Sequence, residues 1–182
     1  DDEKIQRRNR LLLEVLTPCC KAHCSNASFE AITLAVQCFG GAGFCEEYPV
    51  AQLLRDNKVF SIYEGANGIQ AMDLLGRKVP MEEGAAVKAL MKEIAKTIAA
   101  AGEIEALKEI AGKVQEAQNE VINTTMHMAG VGMSGEFHLY ISNATMFLEM
   151  FSQLILAWQW LAQAIGAKSA RCRICGGNVL PG

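Results

Sequence analysis

The sequence has few of the features that mark secreted, membrane-spanning or nucleic-acid-binding proteins. Its first residues, Asp1 to Lys4, have none of the apolar character of a secretion signal. Its most apolar run, Leu154 to Trp158, is far shorter than the roughly 20 residues that cross a bilayer. The net charge of -3 lacks the basic excess that phosphate-binding domains normally carry. We therefore expect a protein that neither spans a membrane nor binds nucleic acid.

The cysteines and histidines favour neither a disulfide framework nor a metal site. Seven cysteines are an odd number, which without a secretion signal predicts reduced thiols and a cytoplasmic location. Cys20 and Cys24 stand one helical turn apart and are predicted to be buried thiols. Cys172 and Cys175 resemble half of a zinc ribbon, but structural zinc needs four ligands and no second pair lies nearby. We predict no metal site.

Aromatic residues are also scarce, at 7% of a chain that is 51% hydrophobic. The abundance of Ala, Leu, Ile, Met and Glu favours helices packed on helices, and no stretch alternates as a half-buried strand does. The predicted fold class is all-α, with an antiparallel helical bundle in residues 1–80 and a second helical bundle-like domain in residues 81–182. Apolar residues run at helical spacing from Ile5 with no cap before them, so the chain resembles a fragment of a longer polypeptide.

Capping and turn residues predict the helix boundaries in the first half. Residues 3–16 should end one helix, and Thr17-Pro18 should start another, because proline is favoured at the first helical position. That helix should reach about Phe39, where the glycines of residues 40–43 stop it. A short helix over residues 50–60 and a loop over residues 61–68 follow.

Apolar stripes at helical spacing predict three helices in the second half. The third is expected to be one long helix over residues 136–167. The first stripe contains Val87, Leu90, Met91, Ile94 and Ile98, and the second contains Ile104, Leu107, Ile110, Val114, Ala117, Val121 and Met128.

Two features between residues 37 and 70 could carry chemistry. The glycines of residues 40–43 leave backbone N–H groups unshielded, as a phosphate site requires, but an ordinary helix end has the same pattern. Glu64 is a single carboxylate in a loop, where most glutamates are simply solvated. Burial would raise its pKa towards that of a useful general base. From the residues alone, both alternatives stay open at each feature.

The order of motifs in residues 17–77 resembles the C-terminal domain of the acyl-CoA dehydrogenase family. The sequence has Q-x-x-G-G-x-G at residues 37–43, E-Y-P-V at 47–50, R-D at 55–56 and I-Y-E-G at 62–65, in the family's order and spacing. Residues 85–182 resemble the additional C-terminal helical domain of one bacterial branch of that family.

The resemblance implies roles for individual residues. Glu64 would remove the α-proton of an acyl-CoA thioester while a β-hydride passes to the flavin of FAD, and its backbone N–H would polarise the thioester carbonyl. Tyr63 and Gly65 would contact the substrate. The implied FAD contacts are Gln37, Cys38, Phe39, Gly40 and Gly41, usually against the FAD of a neighbouring subunit, together with Ala66, Asn67 and Gly68.

The same resemblance implies a homodimer or homotetramer, with electron-transfer flavoprotein as the electron acceptor. Ala66 departs from the family, which commonly has a threonine there whose hydroxyl contacts the flavin. Because most of the flavin and CoA site would lie outside these 182 residues, we expect the isolated chain to be inactive. The alternative is a helical oligomerisation or interaction module that has lost catalysis, as in DNA-associated relatives of the family.

Overall fold

A computed structural model describes residues 2–174, with side chains as far as Lys168, and this part contains helices and no strands. The prediction of an all-α fold is confirmed. Short 3-10 turns lie at Gly40–Phe44, Val59–Ser61 and Glu105–Leu107, and a π-helical segment at Leu74–Lys78. The α-helices are α1 (Asp2–Phe39), α2 (Pro49–Lys58), α3 (Asn67–Asp73), α4 (Met81–Gly102), α5 (Lys108–Met133), α6 (Phe137–Ser142) and α7 (Ala144–Ile174).

Helix α1 runs without interruption through Thr17 and Pro18, so the prediction of two separate helices there is wrong. Pro18 has no N–H to donate to the carbonyl of Glu14 four residues earlier, which normally breaks or kinks a helix. The proline is nevertheless fully buried, and the Thr17 hydroxyl donates to the Leu13 carbonyl at 2.6 Å. Tertiary packing of this face therefore outweighs the one lost backbone bond.

Helix α1 is the element around which the others are arranged, since it packs against α2, α3, α4 and α7. Its buried residues Leu11, Val15, Cys19 and Ala22 repeat at three- to four-residue spacing and form one face. That face lies in the same core cluster as the apolar residues of α4, α5 and α7.

The stripe predicted in α4 is confirmed, because all five of its members are buried. Core residues from both predicted domains belong to one cluster, for example Leu74 and Leu75 from the first and Leu90 and Ile94 from the second. The division at residue 80 stays a prediction. In α5 the stripe is confirmed at its centre, but Ile110 is half exposed.

The long helix predicted over residues 136–167 is in fact two helices, α6 and α7, separated at Asn143. The Asn143 side chain donates to the Leu139 carbonyl at 2.8 Å, which satisfies an acceptor at the end of α6. Asparagine competes with helical backbone in this way more readily than most residues. The apolar period alone did not reveal this local capping bond.

The start of α4 is a left-handed turn in which Glu82, Glu83 and Gly84 have φ of 48°, 56° and 77°. The Glu82 carboxylate accepts hydrogen bonds from Arg7, at 2.6 Å, and from Arg10, both on α1. These charged hydrogen bonds connect the junction between α3 and α4 to the first turns of α1.

Candidate functional site

The loop that precedes α3 holds Glu64 in a left-handed conformation. Its φ is 53°, and the following Gly65 has φ of 87°. The left-handed region costs a residue with a side chain roughly 1–2 kcal/mol. The turn before the loop is closed by the amides of Ile62 and Tyr63, which both donate to the Val59 carbonyl, at 2.9 and 3.0 Å. The carboxylate at position 64 is therefore displayed by a strained backbone.

Gly65 is favoured by its φ of 87°. A Cβ added there would lie 2.5 Å from Nε2 of Gln70, so the end of that flexible side chain would have to move. Gln70 itself donates to the Gly65 carbonyl at 3.5 Å. The glycine after Glu64 thus allows α3 to turn back onto the loop.

An open cavity of about 400 Å³ lies between the middle of α1, the end of α2 and this loop. Glu64 and Tyr63 line one side, and the ring of Tyr63 stacks on Phe60 with centroids 5.9 Å apart. The α1 side of the cavity is polar and includes Lys21 and Ser25. Glu64 itself is exposed in this chain.

Asn67 fixes the loop to α1 through its side-chain amide. Its Oδ1 accepts a hydrogen bond from Nζ of Lys21 at 2.9 Å. Its Nδ2 lies 2.9 Å from the hydroxyl of Ser25 and 2.8 Å from Oδ1 of Asn26, and donates to both. The amide of Asn67 thus bonds to protein, three residues after Glu64.

A second amide, on Asn57, connects the end of α2 to α1. It is buried, and its Nδ2 donates to the Ser28 hydroxyl at 2.9 Å. The sequence did not predict a role for Lys21, Ser25, Ser28 or Asn57, because their hydrogen-bond partners lie 29 to 46 residues away along the chain. No local pattern signals such a pair.

The glycine-rich end of α1 contains two kinds of glycine. Gly40 has φ of 59°, and a Cβ added at Gly40 or Gly41 would meet nothing within 4 Å. At Gly43 an added Cβ would lie 2.5 Å from the Val36 carbonyl oxygen. Gly43 therefore belongs to the helix-end packing, whereas the backbone around Gly40 and Gly41 is open to an approaching group.

The structure brings some of the predicted site residues together and leaves others apart. Tyr63 and Glu64 share the cavity beside α1, whereas the segment 37–41 does not line it. All five residues of that segment are exposed. The predicted site residues therefore form two separate groups on the surface of this chain, one around Glu64 and one at the end of α1.

The thiols near the cavity differ in environment. Burial raises the pKa of Cys19 to about 12, which makes it an inert core thiol. Cys20 and Cys24 are exposed, so the prediction that they are buried is wrong. Cys24 lines the open cavity beside Glu64 rather than the core. Partial burial first, and then the nearby Cys24, raise the pKa of Cys20. A raised pKa disfavours the reactive thiolate form of both Cys19 and Cys20.

Among the side chains that the structure describes, residues 2–168, no three of His, Cys, Asp or Glu converge as metal ligands would. In the same range, no helix is both long enough and apolar enough to cross a membrane. Both thiols of the zinc-ribbon-like pair, Cys172 and Cys175, lie outside the side chains that the structure describes.

Two family models match consecutive parts of the chain. The model described as "Acyl-CoA dehydrogenase, C-terminal domain" matches residues 3–79, and "Acetyl-CoA dehydrogenase C-terminal like" matches residues 90–173. A 3-methylmercaptopropionyl-CoA dehydrogenase of Ruegeria pomeroyi is 32% identical over 171 residues, which are 92% of this chain and 28% of the relative. A butyryl-CoA dehydrogenase of Syntrophomonas wolfei is 38% identical over 109 residues, covering 59% of this chain and 18% of the relative.

Two solved structures resemble this fold. Caenorhabditis elegans ACDH-11, in complex with C11-CoA, matches with a TM-score of 0.69 over 87% of this chain and 27% of its own, at 21% identity. The apo form of Bd2924 matches with a TM-score of 0.57 over 85% of this chain and 26% of its own, at 25% identity. The chain therefore spans little more than a quarter of the length of these proteins.

Proposed function

The chain belongs to the acyl-CoA dehydrogenase family, and we propose that it is the C-terminal part of an enzyme that oxidises an acyl-CoA thioester to the trans-2-enoyl-CoA. The observation that carries the proposal is the conformation of Glu64. A glutamate with φ of 53° is held at the edge of a cavity although asparagine or glycine would fit that backbone with less strain. Strained residues of this kind cluster at functional sites.

Glu64 is proposed to act as the general base. Its carboxylate would take the α-proton of the thioester, and closure of the site by the rest of the enzyme would strip water from it and strengthen it as a base. Its backbone N–H would donate to the thioester carbonyl and stabilise the negative charge that develops there. Tyr63 and Gly65 are proposed to position the acyl group beside the carboxylate.

The exposed end of α1 fits a phosphate-bearing cofactor. Gln37, Cys38, Phe39, Gly40 and Gly41 are all exposed, and no side chain crowds the backbone at either glycine. Bound FAD would supply the acceptor for the β-hydride. Ala66 and Gly68 have no side-chain group that could donate to it, and the amide of Asn67 is already engaged by α1, so residues 66–68 are proposed to contact the cofactor through their backbone.

Two partners complete the proposal. The end of α1 is proposed to face the FAD of a neighbouring subunit in a homodimer or homotetramer, because it lies outside the cavity that holds Glu64. Electron-transfer flavoprotein is proposed as the electron acceptor in the cytoplasm. The complex of ACDH-11 with C11-CoA supports a CoA thioester as the class of substrate for this chain too.

The test is Glu64→Gln in the longer enzyme that carries this chain. Removing a general base should lower kcat by about 10²–10⁴-fold, with the fold and the bound flavin unchanged. Glu83→Gln is the matched control, because Glu83 is also an exposed glutamate in the left-handed region, with φ of 56°. Near-normal dehydrogenation by the Glu64→Gln enzyme would show that Glu64 is not the base.

The isolated 182 residues are proposed to lack turnover, because the chain spans only 28% of its relative from Ruegeria pomeroyi. The measurement is dehydrogenation of butyryl-CoA and longer acyl-CoA thioesters with added FAD and a dye acceptor. Turnover by the isolated chain would contradict this part of the proposal and leave the role of Glu64 untouched.

The alternative, a helical interaction module without catalysis, is favoured by one observation. Glu64 is exposed in this chain, and several apolar side chains around it are exposed too, such as Ile62 at 61%. The same Glu64→Gln enzyme distinguishes the two functions. If neither the original nor the altered protein dehydrogenates acyl-CoA while both assemble with the same partner, the module is the correct function.

A further inference from the structure

A basic groove lies between the first turns of α1 and the start of α4, and its volume is about 360 Å³. In the sequence, the basic residues between Lys4 and Arg10 are an ordinary run of charges at a helix end. The fold adds Lys88 and Lys92 from a helix about 80 residues further along the chain. The cationic residues that line the groove are Lys4, Arg7, Arg8, Lys88 and Lys92.

The cations of this groove outnumber the carboxylates available to them. Glu82 is shared between Arg7 and Arg10, and Glu93 is shared between Arg8, at 3.7 Å, and Lys96, at 2.9 Å. Hydrogen bonds from Arg10 and Arg7 lower the pKa of Glu82. The hydrogen bond from Lys96, and then the charge of Arg8, lower the pKa of Glu93, so both acids remain charged.

Three lysines remain for a ligand. Lys88 donates to the backbone carbonyl of Glu83 at 2.9 Å, which leaves its charge uncompensated. Lys4 and Lys92 form no ion pair within 4.0 Å with any residue that the structure describes, although Lys92 is attracted at longer range to Glu93. Asp2 and Glu3 precede Lys4 but do not line the groove. The surplus positive charge is concentrated in a chain whose net charge is -3.

The floor of the groove is apolar, since Leu11, Ala85 and Ala89 line it between the cations. Small alanine side chains allow a ligand to approach the helix surface closely. Lysine ammonium groups act as rotatable point charges, which suits several phosphate groups spread along a groove better than one planar carboxylate.

The groove lies away from the cavity that holds Glu64. Lys4 and Leu11 precede Lys21 by 17 and 10 residues on α1. At about 1.5 Å per residue, this places the groove roughly 15–25 Å from that cavity along the helix. A ligand bound here would therefore contact neither Glu64 nor a substrate beside it.

We propose that this groove binds a polyphosphate-bearing anion, which bridges α1 and α4 through Lys4, Lys88 and Lys92. A single phosphate would reach one or two of the ammonium groups, whereas a linear chain of phosphates can contact lysines from both helices. The bound anion joins the two helices and relieves the repulsion among the five cations, so it stabilises the fold as well as occupying the site.

The experiment titrates inorganic tripolyphosphate into the full chain by calorimetry, at low and at moderate salt. We expect one saturable site whose affinity falls with salt, because exposed charges are screened. Lys88→Gln together with Lys92→Gln should weaken binding about tenfold or more, since two of the three lysines proposed to contact the anion are lost. Lys108→Gln with Lys113→Gln, on α5, removes the same charge from two exposed ion pairs and should change the affinity less than about twofold.

Two further ligands identify the source of the phosphate groups. If adenosine triphosphate binds more tightly than tripolyphosphate, the apolar floor contacts the adenine base. If the two affinities are equal, only the phosphate chain is bound. Both results agree with the proposal. Thermal unfolding in the absence of ligand checks that the altered proteins fold.

Three outcomes would overturn the proposal. The first is the absence of saturable tripolyphosphate binding to the unaltered chain. The second is an equal loss of tripolyphosphate affinity in the two double variants, since that would mean a general effect of charge. Binding of sulfate as tight as that of tripolyphosphate at matched ionic strength would have the same meaning. The third is tighter binding of an oligoglutamate peptide than of tripolyphosphate, which would make the groove a protein-binding surface.

Discussion

Residues 26–70 and residues 71–101 differ strongly in how much of each is buried. In the first range, which contains every predicted site residue, the buried residues are Gly43, Val50, Ala51 and Asn57 alone. In the second range, twelve of 31 residues are buried. We call these the site region and the packed region. The packed region holds the fold, whereas the site region keeps its surface for other molecules.

The large apolar residues of the two regions differ in exposure. Phe44 is 86% exposed and Leu34 is 66% exposed, which are high fractions for large apolar side chains. The packed region has residues of the same type at less than 10% exposure, such as Leu90 and Ile94. Changes at exposed positions of the site region should therefore affect function with little effect on the stability of the chain.

The largest expected effect is that of Phe151→Ala. Phe151 is completely buried on α7 and belongs to the core, so its removal should lower the free energy of unfolding by about 3–5 kcal/mol. Phe44→Ala is the control, because it removes the same ring from an exposed position and should change the free energy by less than about 0.5 kcal/mol. Urea unfolding of the two proteins measures both values. Similar losses would mean that the two regions do not differ as described.

Gly43→Ala tests a closely packed position of the site region. The added Cβ would lie 2.5 Å from the Val36 carbonyl oxygen, so we expect a loss of about 1–3 kcal/mol in chemical unfolding. Gly41→Ala should cost less than about 0.5 kcal/mol, because its Cβ meets nothing within 4 Å. A loss at Gly41 as large as that at Gly43 would contradict the assignment of Gly41 to an open surface.

Asn67→Ala should lower stability by about 1–2 kcal/mol, because the change leaves partly buried partners on α1 without their hydrogen bonds. Asn26→Ala removes only the exposed bond to Asn67 and is expected to cost less than about 0.5 kcal/mol. In the longer enzyme, Asn67→Ala should lower kcat more than it changes KM, because it releases the loop that presents Glu64. Unchanged kcat would show that the amide does not position that loop.

The smallest effect is a dependence of stability on acidity. Hydrogen bonds from Arg10 and Arg7 lower the pKa of Glu82 in the folded chain. Because the folded pKa is the lower one, this stabilisation is present above the unfolded pKa of about 4.3 and is lost as the pH falls through the folded pKa. The melting temperature should therefore fall on acidification, and Glu82→Gln should reduce that fall. Glu109→Gln, from an exposed ion pair on α5, is the charge-matched control.

The packed region could be predicted well from the sequence because its signal is local. Val87, Leu90, Met91, Ile94 and Ile98 repeat at helical spacing, and all five are buried. The spacing of apolar residues does not predict where a helix continues or ends when one specific contact decides it. Pro18 continues a helix because its ring is buried, and Asn143 ends one because its amide caps a carbonyl.

The site region could be predicted only as an order of motifs. The sequence locates Glu64 in a loop but gives no value for its φ, and contacts that hold this part of the chain are non-local, such as Asn67 bonding to Ser25 on α1, 42 residues away. The basic groove is equally non-local, because Lys4 and Lys88 meet only after α1 and α4 pack. The roles assigned to the site residues stay predictions that the altered enzymes above can test.

At position 64, the residue that best fits the left-handed backbone is not the residue that the proposed reaction requires. A glycine there would relieve roughly 1–2 kcal/mol of strain, less about 0.5–1 kcal/mol for the added freedom of the unfolded chain. Glu64→Gly should therefore make the chain slightly more stable while removing the carboxylate. Selection of variants for heat resistance alone should then accumulate glycine at this position and discard the base, so a search for a more robust enzyme must screen for turnover as well.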